Sequence, residues 1–418
     1  MLKQIEGSQG MAQAVALCRP EVICAYPITP QTHIVEDLGA MVKRGSLTDC
    51  EFINVESEFA ALSVAIGSSA TGARSYTATA SQGLLYMAEA VYNASGLGLP
   101  IVMTVGNRAI GAPINIWNDQ SDSMSMRDAG WIQLFAETNQ EALDLHIQAF
   151  RIAETLSIPV MVCVDGFILT HAYERMDIPQ QEQVDRFLPP FVPRQVLDPE
   201  DPISMGAMVG PEAFTEVRYL AHHKQMQALE LIPEIAEEFK SIFGRDSGGL
   251  ISNYRTDDAE TIIVTLGSVI GTISEVIDSL RDQGQKIGAI SLRCYRPFPK
   301  EVLREALQDC QRVVVFEKCL AVGMGGIVAA NVRMSIRGLN LPVYTVIGGL
   351  GGRPITRKSL AELFAKAMRE DLAETTFLDI KCDIVERELA REQAHTRSGA
   401  AAENILREVG VVDAAKTA

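Results

Sequence analysis

The sequence predicts an α/β protein with two parallel sheets. Short apolar segments of strand length recur along the chain, those after about residue 259 alternate regularly with helical segments, and 47% of the residues are hydrophobic. A chain of 418 residues is long enough for two such domains. We expect a first domain over residues 1–240 with a proline-rich arm from about 175, a second over 255–385, and a helical tail over 386–418.

A stiff polar loop is predicted after the first core strand. Residues 21–24 have the composition of a short buried strand, and residues 25–32 continue as Ala-Tyr-Pro-Ile-Thr-Pro-Gln-Thr. Pro27 and Pro30 fix their own φ and push their predecessors towards extended geometry. The Thr29 hydroxyl and nearby backbone amides are therefore aimed at one spot, as in a loop that holds a substrate.

A buried strand end followed by a small-residue helix is predicted around residues 54–67. Glu58 stands in the first turn of this helix. The plain interpretation is an acidic first turn that suits the helix dipole. The alternative is a functional carboxylate at the open end of a parallel sheet. Glu56 is assigned to a cap or to surface charge.

Two more polar segments follow apolar ones. Residues 77–87 contain Ser81-Gln82-Gly83 and form a polar turn that opens an amphipathic helix. Residues 107–122 follow the apolar strand 100–105, which places Arg108 at the carboxyl end of that strand. A guanidinium binds a carboxylate through two parallel hydrogen bonds, although an isolated arginine is more often solvated or salt-bridged.

The arm from about residue 175 to 255 is proline-rich and irregular, and we interpret it as a segment that wraps a neighbouring subunit. A long helix is predicted over 225–243, preceded by His222 and His223. Adjacent histidines can ligate a metal, but without an acid or cysteine at ligand spacing a surface pair is the better interpretation.

The second domain alternates strands and helices, which predicts a parallel sheet with right-handed crossovers. Its strands are predicted at 261–266, 286–292, 312–317 and 342–346, with a helix from Met324 to Met334. The glycines of 267–271 and 348–352 suit turns. They could also cradle a phosphate of a ligand or of a cofactor held by a partner, but they match neither phosphate-loop fingerprint.

Composition excludes several classes of function. The balance of 53 acidic to 37 basic side chains argues against nucleic acid as a partner. The eight cysteines include no C-x-x-C pair, so we expect no iron-sulfur cluster on this chain. No apolar run reaches the roughly 18–20 residues that a membrane span needs, and the amino terminus lacks a signal-peptide core. We expect a cytoplasmic protein.

The segments around Thr29, Glu58, Gln82 and Arg108 together resemble the α subunit, or first domain, of pyruvate:ferredoxin oxidoreductase, a family of thiamine-diphosphate enzymes. The resemblance covers about residues 8–170 and continues more loosely over 259–380. It implies a thiamine-diphosphate-binding domain of the pyrimidine type with a parallel sheet, followed by an α/β domain like the carboxyl-terminal domain of transketolase.

The resemblance also implies residue roles. Glu58 would be catalytic, because its carboxyl group would hydrogen-bond the aminopyrimidine and prepare its amino group to accept the thiazolium C2 proton. Thr29 and Arg108 would bind the substrate. Further cofactor contacts would come from Pro27, Ile28 and Gln82. No metal ligand is implied, since the G-D-G motif is absent and a partner subunit would hold the magnesium and the diphosphate.

The implied activity is oxidative decarboxylation of pyruvate with coenzyme A to acetyl-CoA, CO2 and reduced ferredoxin. The chain would act with β-, γ- and δ-type subunits that carry the iron-sulfur clusters. Ferredoxin or flavodoxin would dock on a partner, because commonly acidic ferredoxins would be repelled by a chain of net charge −16. Two alternatives remain open: the α subunit of a branched-chain 2-oxoacid (2-oxoisovalerate) oxidoreductase, and a non-catalytic assembly subunit.

Overall fold

In the computed structural model, which describes residues 1–394 and 399–411, the chain divides into two compact units at Thr376 and Phe377. The first unit contains both large sheets, and the predicted α/β class is confirmed. The second contains two helices joined by ion pairs from Arg387 and Arg391 to Glu408. The predicted domain boundaries stay predictions, and residues 395–398 and 412–418 of the predicted tail lie outside the described residues.

The secondary structure of the described residues is as follows. The strands are β1 (Leu2–Glu6), β2 (Val22–Ala25), β3 (Glu51–Asn54), β4 (Ser75–Thr79), β5 (Val102–Asn107), β6 (Ile132–Phe135), β7 (Val160–Asp165), β8 (Tyr173–Asp177), β9 (Ile251–Tyr254), β10 (Thr261–Thr265), β11 (Ile287–Leu292), β12 (Cys294–Arg296), β13 (Arg312–Glu317), β14 (Val343–Ile347) and β15 (Thr375–Phe377). The helices are α1 (Gly7–Leu17), α2 (Thr32–Lys43), α3 (Glu58–Ala70), α4 (Ser81–Tyr86), α5 (Ala88–Leu97), α6 (Ser121–Ser125), α7 (Asn139–Leu156), α8 (Gln181–Phe187), α9 (Phe214–Phe243), α10 (Val269–Arg281), α11 (Lys300–Leu307), α12 (Ile327–Ser335), α13 (Arg357–Met368), α14 (Cys382–Gln393) and α15 (Ala401–Glu408).

The first sheet has seven strands in the order β12-β6-β7-β5-β4-β2-β3. The strands from β6 to β3 are parallel, and β12 pairs antiparallel with β6 at the edge. Side chains alternate between two cores along each strand, with Val102 on one face of β5 and Met103 on the other. Since β12 comes from residues that follow β11, the chain returns from the second sheet to complete the first.

The second sheet has the order β15-β14-β13-β10-β11-β9. The four predicted strands are β10, β11, β13 and β14, and they pair in parallel as expected. The antiparallel edge strand β9 was not predicted. The predicted helix start at Met324 was wrong: α12 begins at Ile327, where the buried Glu317 carboxylate accepts the Ile327 and Val328 N–H groups at 2.7 and 2.8 Å.

The helix predicted over 225–243 is longer than expected, since α9 begins at Phe214. His222 and His223 therefore lie on this helix instead of before it, and both are exposed. The buried side chains of α9 all lie from Ala228 onwards. The helical spacing of apolar residues therefore predicted only the later part of the helix. In the described part of the chain, no helix has both the length and the apolar character that crossing a membrane requires.

A buried ion pair joins the carboxyl ends of the two sheets. Lys318, directly after β13, places its Nζ 3.1 Å from Oδ2 of Asp165 at the end of β7, and both side chains are buried. Ser268, after β10, donates its backbone N–H to the same carboxylate at 3.0 Å. Burial raises the pKa of Asp165, but the Lys318 charge and the Ser268 hydrogen bonds outweigh it and lower the pKa below its ordinary value.

Replacing Lys318 with Met should destabilise the first unit by about 3–5 kcal/mol, because the Asp165 carboxylate would stay buried without its cation. The measurement is denaturant unfolding of the purified chain followed by circular dichroism. Arg357→Ala is the matched control, since the Arg357–Glu275 pair is exposed at 75% and 64% and should cost less than about 1 kcal/mol. Equal losses in the two variants would contradict a structural role for the buried pair.

Candidate active site

Four neighbouring parallel strands deliver the predicted site residues to one edge of the first sheet. In the order β5-β4-β2-β3, each strand ends in a polar loop or in the start of a helix. Arg108 follows β5, Gln82 follows β4, Thr29 lies in the loop after β2, and Glu58 begins the helix after β3. Because carboxyl ends of parallel strands share an edge, the four segments lie side by side.

Glu58 is buried at the start of α3, where Ser57 caps the helix by accepting the Ala60 N–H at 3.2 Å. Gly83 packs against it so closely that a Cβ at Gly83 would lie 2.8 Å from Glu58 Oε1 and 2.7 Å from the Thr79 hydroxyl oxygen. The Glu58 carboxylate has no hydrogen bond to any residue that the structure describes, and the buried Thr79 hydroxyl has none either. Two polar groups thus face a space kept open by a glycine.

Arg108 and Thr29 are in direct contact, as a shared site requires. The Arg108 guanidinium donates from Nη1 to the Thr29 carbonyl at 2.9 Å and from Nε to the Asn115 carbonyl at 3.0 Å. Its Nη2 makes no hydrogen bond within residues 1–394 and 399–411. Burial lowers the pKa of Arg108, and the charge of Asp122 opposes that shift. Thr29 is exposed. Where the two loops touch, Arg108 thus offers a charged donor and Thr29 offers a neutral hydroxyl.

The loop after β2 is anchored by a residue that carried no predicted role. Gln31 is buried, and its Nε2 donates to the Tyr26 carbonyl at 2.9 Å and to the Ala78 carbonyl of β4 at 3.3 Å. Pro27 is exposed and Ile28 is half-buried in the same loop. The structure therefore holds both in the loop that carries Thr29, and their contact with a cofactor stays a prediction.

Gln82 lies between the β4 and β5 loops. Its side-chain oxygen is in hydrogen-bond contact with the Ser81 hydroxyl, and a Cβ at Gly111 would lie 2.6 Å from its Nε2. The Ser81 hydroxyl also contacts the Ala109 carbonyl. Gln82 thus reaches the loop that carries Arg108, while its neighbour Gly83 packs on Glu58.

Asp122 organises this arrangement and was missed as a functional residue. It is fully buried, and its Oδ2 accepts the backbone N–H groups of Ser81 at 2.9 Å and Arg108 at 3.0 Å. Its Oδ1 accepts Asn107 Nδ2 and the Ser123 N–H, each at 2.8 Å. Burial raises the pKa of Asp122 to about 7, and these hydrogen bonds oppose that rise. In the segment 107–122, only Arg108 was assigned a role from the sequence.

The glycine-rich turn at 348–352 closes on the same loop. Gly351 donates its N–H to the Asp119 carboxylate at 3.0 Å and accepts from Asn115 Nδ2 at 3.2 Å. A Cβ at Gly352 would lie 2.4 Å from the Trp117 Cβ, so the close approach requires glycine. These contacts favour the turn interpretation of the glycines, with this chain's own loop as the neighbour.

The structure also groups three potential metal ligands that the sequence did not indicate. Glu6, His33 and His171 place one ligand atom each within 4.8 Å of one another. Both histidines already have hydrogen-bond partners. His33 Nδ1 lies 2.6 Å from the Glu6 carboxylate, and His171 Nδ1 lies 2.7 Å from the hydroxyl of Thr170, which is outside the group. The hydrogen bond to Glu6 raises the pKa of His33.

Two family models match the chain. Residues 13–237 match a model described as pyruvate flavodoxin/ferredoxin oxidoreductase, thiamine diphosphate-binding, and residues 259–360 match pyruvate:ferredoxin oxidoreductase core domain II. The chain is 45% identical over 390 residues to the pyruvate synthase subunit PorA of Methanosarcina barkeri, covering 91% of this chain and 97% of that protein. The corresponding subunit of Methanocaldococcus jannaschii is 47% identical over 358 residues, covering 85% of this chain and 92% of that one.

Relatives of lower identity include a protein named for another substrate and two solved structures. The ketoisovalerate oxidoreductase subunit VorA of Pyrococcus abyssi is 40% identical, covering 88% of this chain and 93% of that protein. A 2-oxoglutarate:ferredoxin oxidoreductase from Magnetococcus marinus has a TM-score of 0.68 at 20% identity, covering 89% of this chain and 65% of that chain. A split-gene transketolase has a TM-score of 0.52 at 13% identity, covering 88% and 99%. The two structures share the fold.

Asp122→Asn should destabilise the chain and loosen the loops that carry Gln82 and Arg108. Whichever carboxylate oxygen is replaced by an amide nitrogen, two N–H donors lose their acceptor. Each buried donor left without an acceptor should lower the free energy of unfolding by about 1–3 kcal/mol. Denaturant unfolding measures the loss, and hydrogen exchange at residues 81–83 and 108–111 locates it. Asp128→Asn is the control, because Asp128 is 64% exposed. Unchanged exchange at both loops would show that Asp122 does not organise them.

Proposed function

The chain belongs to the pyruvate:ferredoxin oxidoreductase family, and on that premise we propose that it is the α subunit of a pyruvate synthase. The reaction is oxidative decarboxylation of pyruvate with coenzyme A to acetyl-CoA, CO2 and reduced ferredoxin. The observation that carries the proposal is the placement of the unpartnered Glu58 carboxylate and the Arg108–Thr29 pair at one edge of one sheet. Identity of 45–47% to PorA chains, against 40% to VorA, favours pyruvate over 2-oxoisovalerate.

The residues around Glu58 fit thiamine diphosphate. A buried carboxyl group without a protein partner, an orphaned Thr79 hydroxyl and the gap kept open by Gly83 suit a flat polar ring. When bound, the cofactor supplies an acidic thiazolium carbon that adds to a keto group and takes up the electron pair left by decarboxylation. In our proposal Glu58 holds a proton at the pyrimidine ring, Gln82, Pro27 and Ile28 line its site, and a partner subunit holds the diphosphate and its magnesium.

The substrate is held by Arg108 and Thr29 in this proposal. Arg108 uses two of its donors on the Thr29 and Asn115 carbonyls, which fixes the plane of the guanidinium and leaves Nη2 for a carboxylate. Fixing the guanidinium in advance lowers the entropy lost when the carboxylate binds. Thr29 adds a neutral hydroxyl donor. A scaffold subunit would have no use for this pair beside a buried carboxylate, which argues against the non-catalytic alternative.

The remaining parts of the complex are assigned to partners. We propose that β-, γ- and δ-type subunits carry the iron-sulfur clusters and that ferredoxin or flavodoxin docks on one of them. The formal charge of −16 on this chain disfavours direct docking of an acidic ferredoxin. The complex would work in the cytoplasm, where the reductive chemistry of such clusters is supported.

Glu58→Gln should lower pyruvate oxidation by the assembled complex about a hundredfold to ten-thousandfold, because an amide cannot hold and transfer the required proton. Glu56→Gln is the matched control, two residues away and exposed, and should leave the rate unchanged. Size-exclusion chromatography and the bound thiamine content check that both complexes assemble and load. A Glu58→Gln complex with the wild-type rate would refute the assignment.

Arg108→Ala should reduce kcat/KM for pyruvate about 10- to 150-fold, and Thr29→Ala only about 2- to 10-fold. The difference arises because a charge-assisted hydrogen bond is worth about 1.5–3 kcal/mol and a neutral one about 0.5–1.5 kcal/mol. Steady-state kinetics with pyruvate and 2-oxoisovalerate measure both effects and reveal which acid the wild type prefers. Arg44→Ala, on the exposed end of α2, is the control. If Arg108→Ala leaves both specificity constants intact, the arginine is structural.

A further inference from the structure

A second cavity lies in the first unit, away from the residues assigned to the substrate. Its volume is about 650 Å³, within the roughly 300–1,000 Å³ typical of small-molecule sites. It is bounded by the carboxyl end of α5, the segment before β6, the first half of α9 and the start of α11. None of the proposed site residues Thr29, Glu58, Gln82 and Arg108 lines it.

The charge of this cavity is opposite to that of the chain. The whole sequence carries 53 acidic and 37 basic side chains. The cavity is lined by six basic side chains and a single acidic one, Asp128. The basic residues are Arg127, Arg194, Arg218, Lys224, Arg296 and Lys300. Such clustering on an acidic protein creates a local field that favours an anion.

Asp128 neutralises only part of this charge. Its carboxylate lies 3.6 Å from Arg127 Nε and 3.4 Å from Arg296 Nη2. The side chains of the other four cations, Arg194, Arg218, Lys224 and Lys300, have no hydrogen bond or ion pair to another residue in the described ranges 1–394 and 399–411. Lys224 is half-buried and the other three are exposed. Their like charges around one cavity attract an anion.

Of the four cations, Lys224 is the least exposed. It is half-buried on α9, and burial followed by the nearby charge of Arg194 lowers its pKa. Its Nζ lies 3.6 Å from where a Cβ at Gly98 would stand, so the ammonium is held against the end of α5. A lysine kept close to an arginine of like charge is stabilised when an anion binds between them.

The cavity is at the opposite edge of the first sheet from the proposed active site. Gly98 precedes β5, Gly130 precedes β6 and Ser157 precedes β7, so these lining residues stand at the amino ends of the strands. Arg108 directly follows the carboxyl end of β5, which is six residues long. At about 3.3 Å for each residue, the two sites are about 20 Å apart across the sheet. A ligand in this cavity would therefore not contact the residues proposed to bind the substrate.

Part of the remaining wall is apolar, and the rest is polar, with Gln195, His222, Gln225 and Asn331 among its side chains. Leu220 and Met226 of α9 and Met334 of α12 are exposed at 60%, 42% and 51%, and the Phe298 ring lies beside them. We propose that this cavity binds a phosphorylated, nucleotide-sized molecule, with its phosphates at Arg194 and Lys224 and its ring system against the apolar wall. This inference is independent of the proposed catalytic function, because it uses none of the catalytic or substrate residues.

The test measures binding to the assembled complex, saturated beforehand with thiamine diphosphate and magnesium so that the catalytic site does not take up the probe. Isothermal titration with ADP, pyrophosphate and adenosine separates the contributions of base and phosphate. We expect saturable binding of ADP, weaker binding of pyrophosphate and none of adenosine. Lys224→Ala and Arg194→Ala should each raise the Kd for ADP about tenfold or more, since each removes a charge-assisted contact. Lys240→Ala, on α9 but outside the cavity, should leave it unchanged.

Four results would overturn the proposal. Binding of adenosine as tight as that of ADP would show that the cations do not recognise the ligand. ADP binding that both cavity variants leave unchanged would place the ligand elsewhere. Absence of binding to the complex, together with protection of residues 217–226 from hydrogen exchange upon assembly, would show that an acidic segment of another subunit fills the cavity. Pyrophosphate binding equal to that of ADP would contradict the placement of a ring system against the apolar wall, because the phosphates alone would then account for the affinity.

Discussion

The buried pair between Lys318 and Asp165 is the interaction on which the rest of the structure depends. Each residue stands at the carboxyl end of a strand in a different sheet, so the pair fixes the two sheets edge to edge. Asn118 and Gln120 donate to the other carboxylate oxygen of Asp165, Oδ1, at 3.2 and 3.1 Å, which draws the loop after β5 into the junction. A buried charge pair of this kind adds little net free energy of folding. Its main effect is to permit only one arrangement of the two sheets.

That arrangement shapes the proposed active site. The loop that begins with Arg108 is held at one end by Asp122, which also holds the start of α4, and at the other by the junction around Lys318. The guanidinium then has few orientations left and fixes the Thr29 carbonyl in turn. Glu58, by contrast, is buried beside Gly83 and has no hydrogen-bond partner among the residues that the structure describes. Under the proposed function, hydrogen bonds thus position the substrate residues, while the carboxyl group of Glu58 stays available to a cofactor.

The two edges of the first sheet have different electrostatic characters. The carboxyl edge combines one buried arginine with carboxylates whose pKa values burial raises, as at Asp119 and Asp122. The amino edge gathers cations around a cavity on a chain whose net charge is −16. Ligands at the two ends of the strands would occupy separate spaces and contact different charged residues. Of the strands whose amino ends border the cavity, β5 also leads to Arg108 of the proposed site at its carboxyl end.

The sequence alone determined the α/β class, the four central parallel strands of the second sheet and the positions of Thr29, Glu58 and Arg108 at strand or helix ends, because hydrophobic period and loop chemistry are local. It could not show that residues 294–296 cross to the first sheet, that α9 extends back to Phe214, or that Asp122 gathers four donors. Nor could it place the cations at 127, 194, 224 and 300 around one cavity. Such contacts join residues far apart in the chain, and only the packing of helices and sheets decides which of them meet.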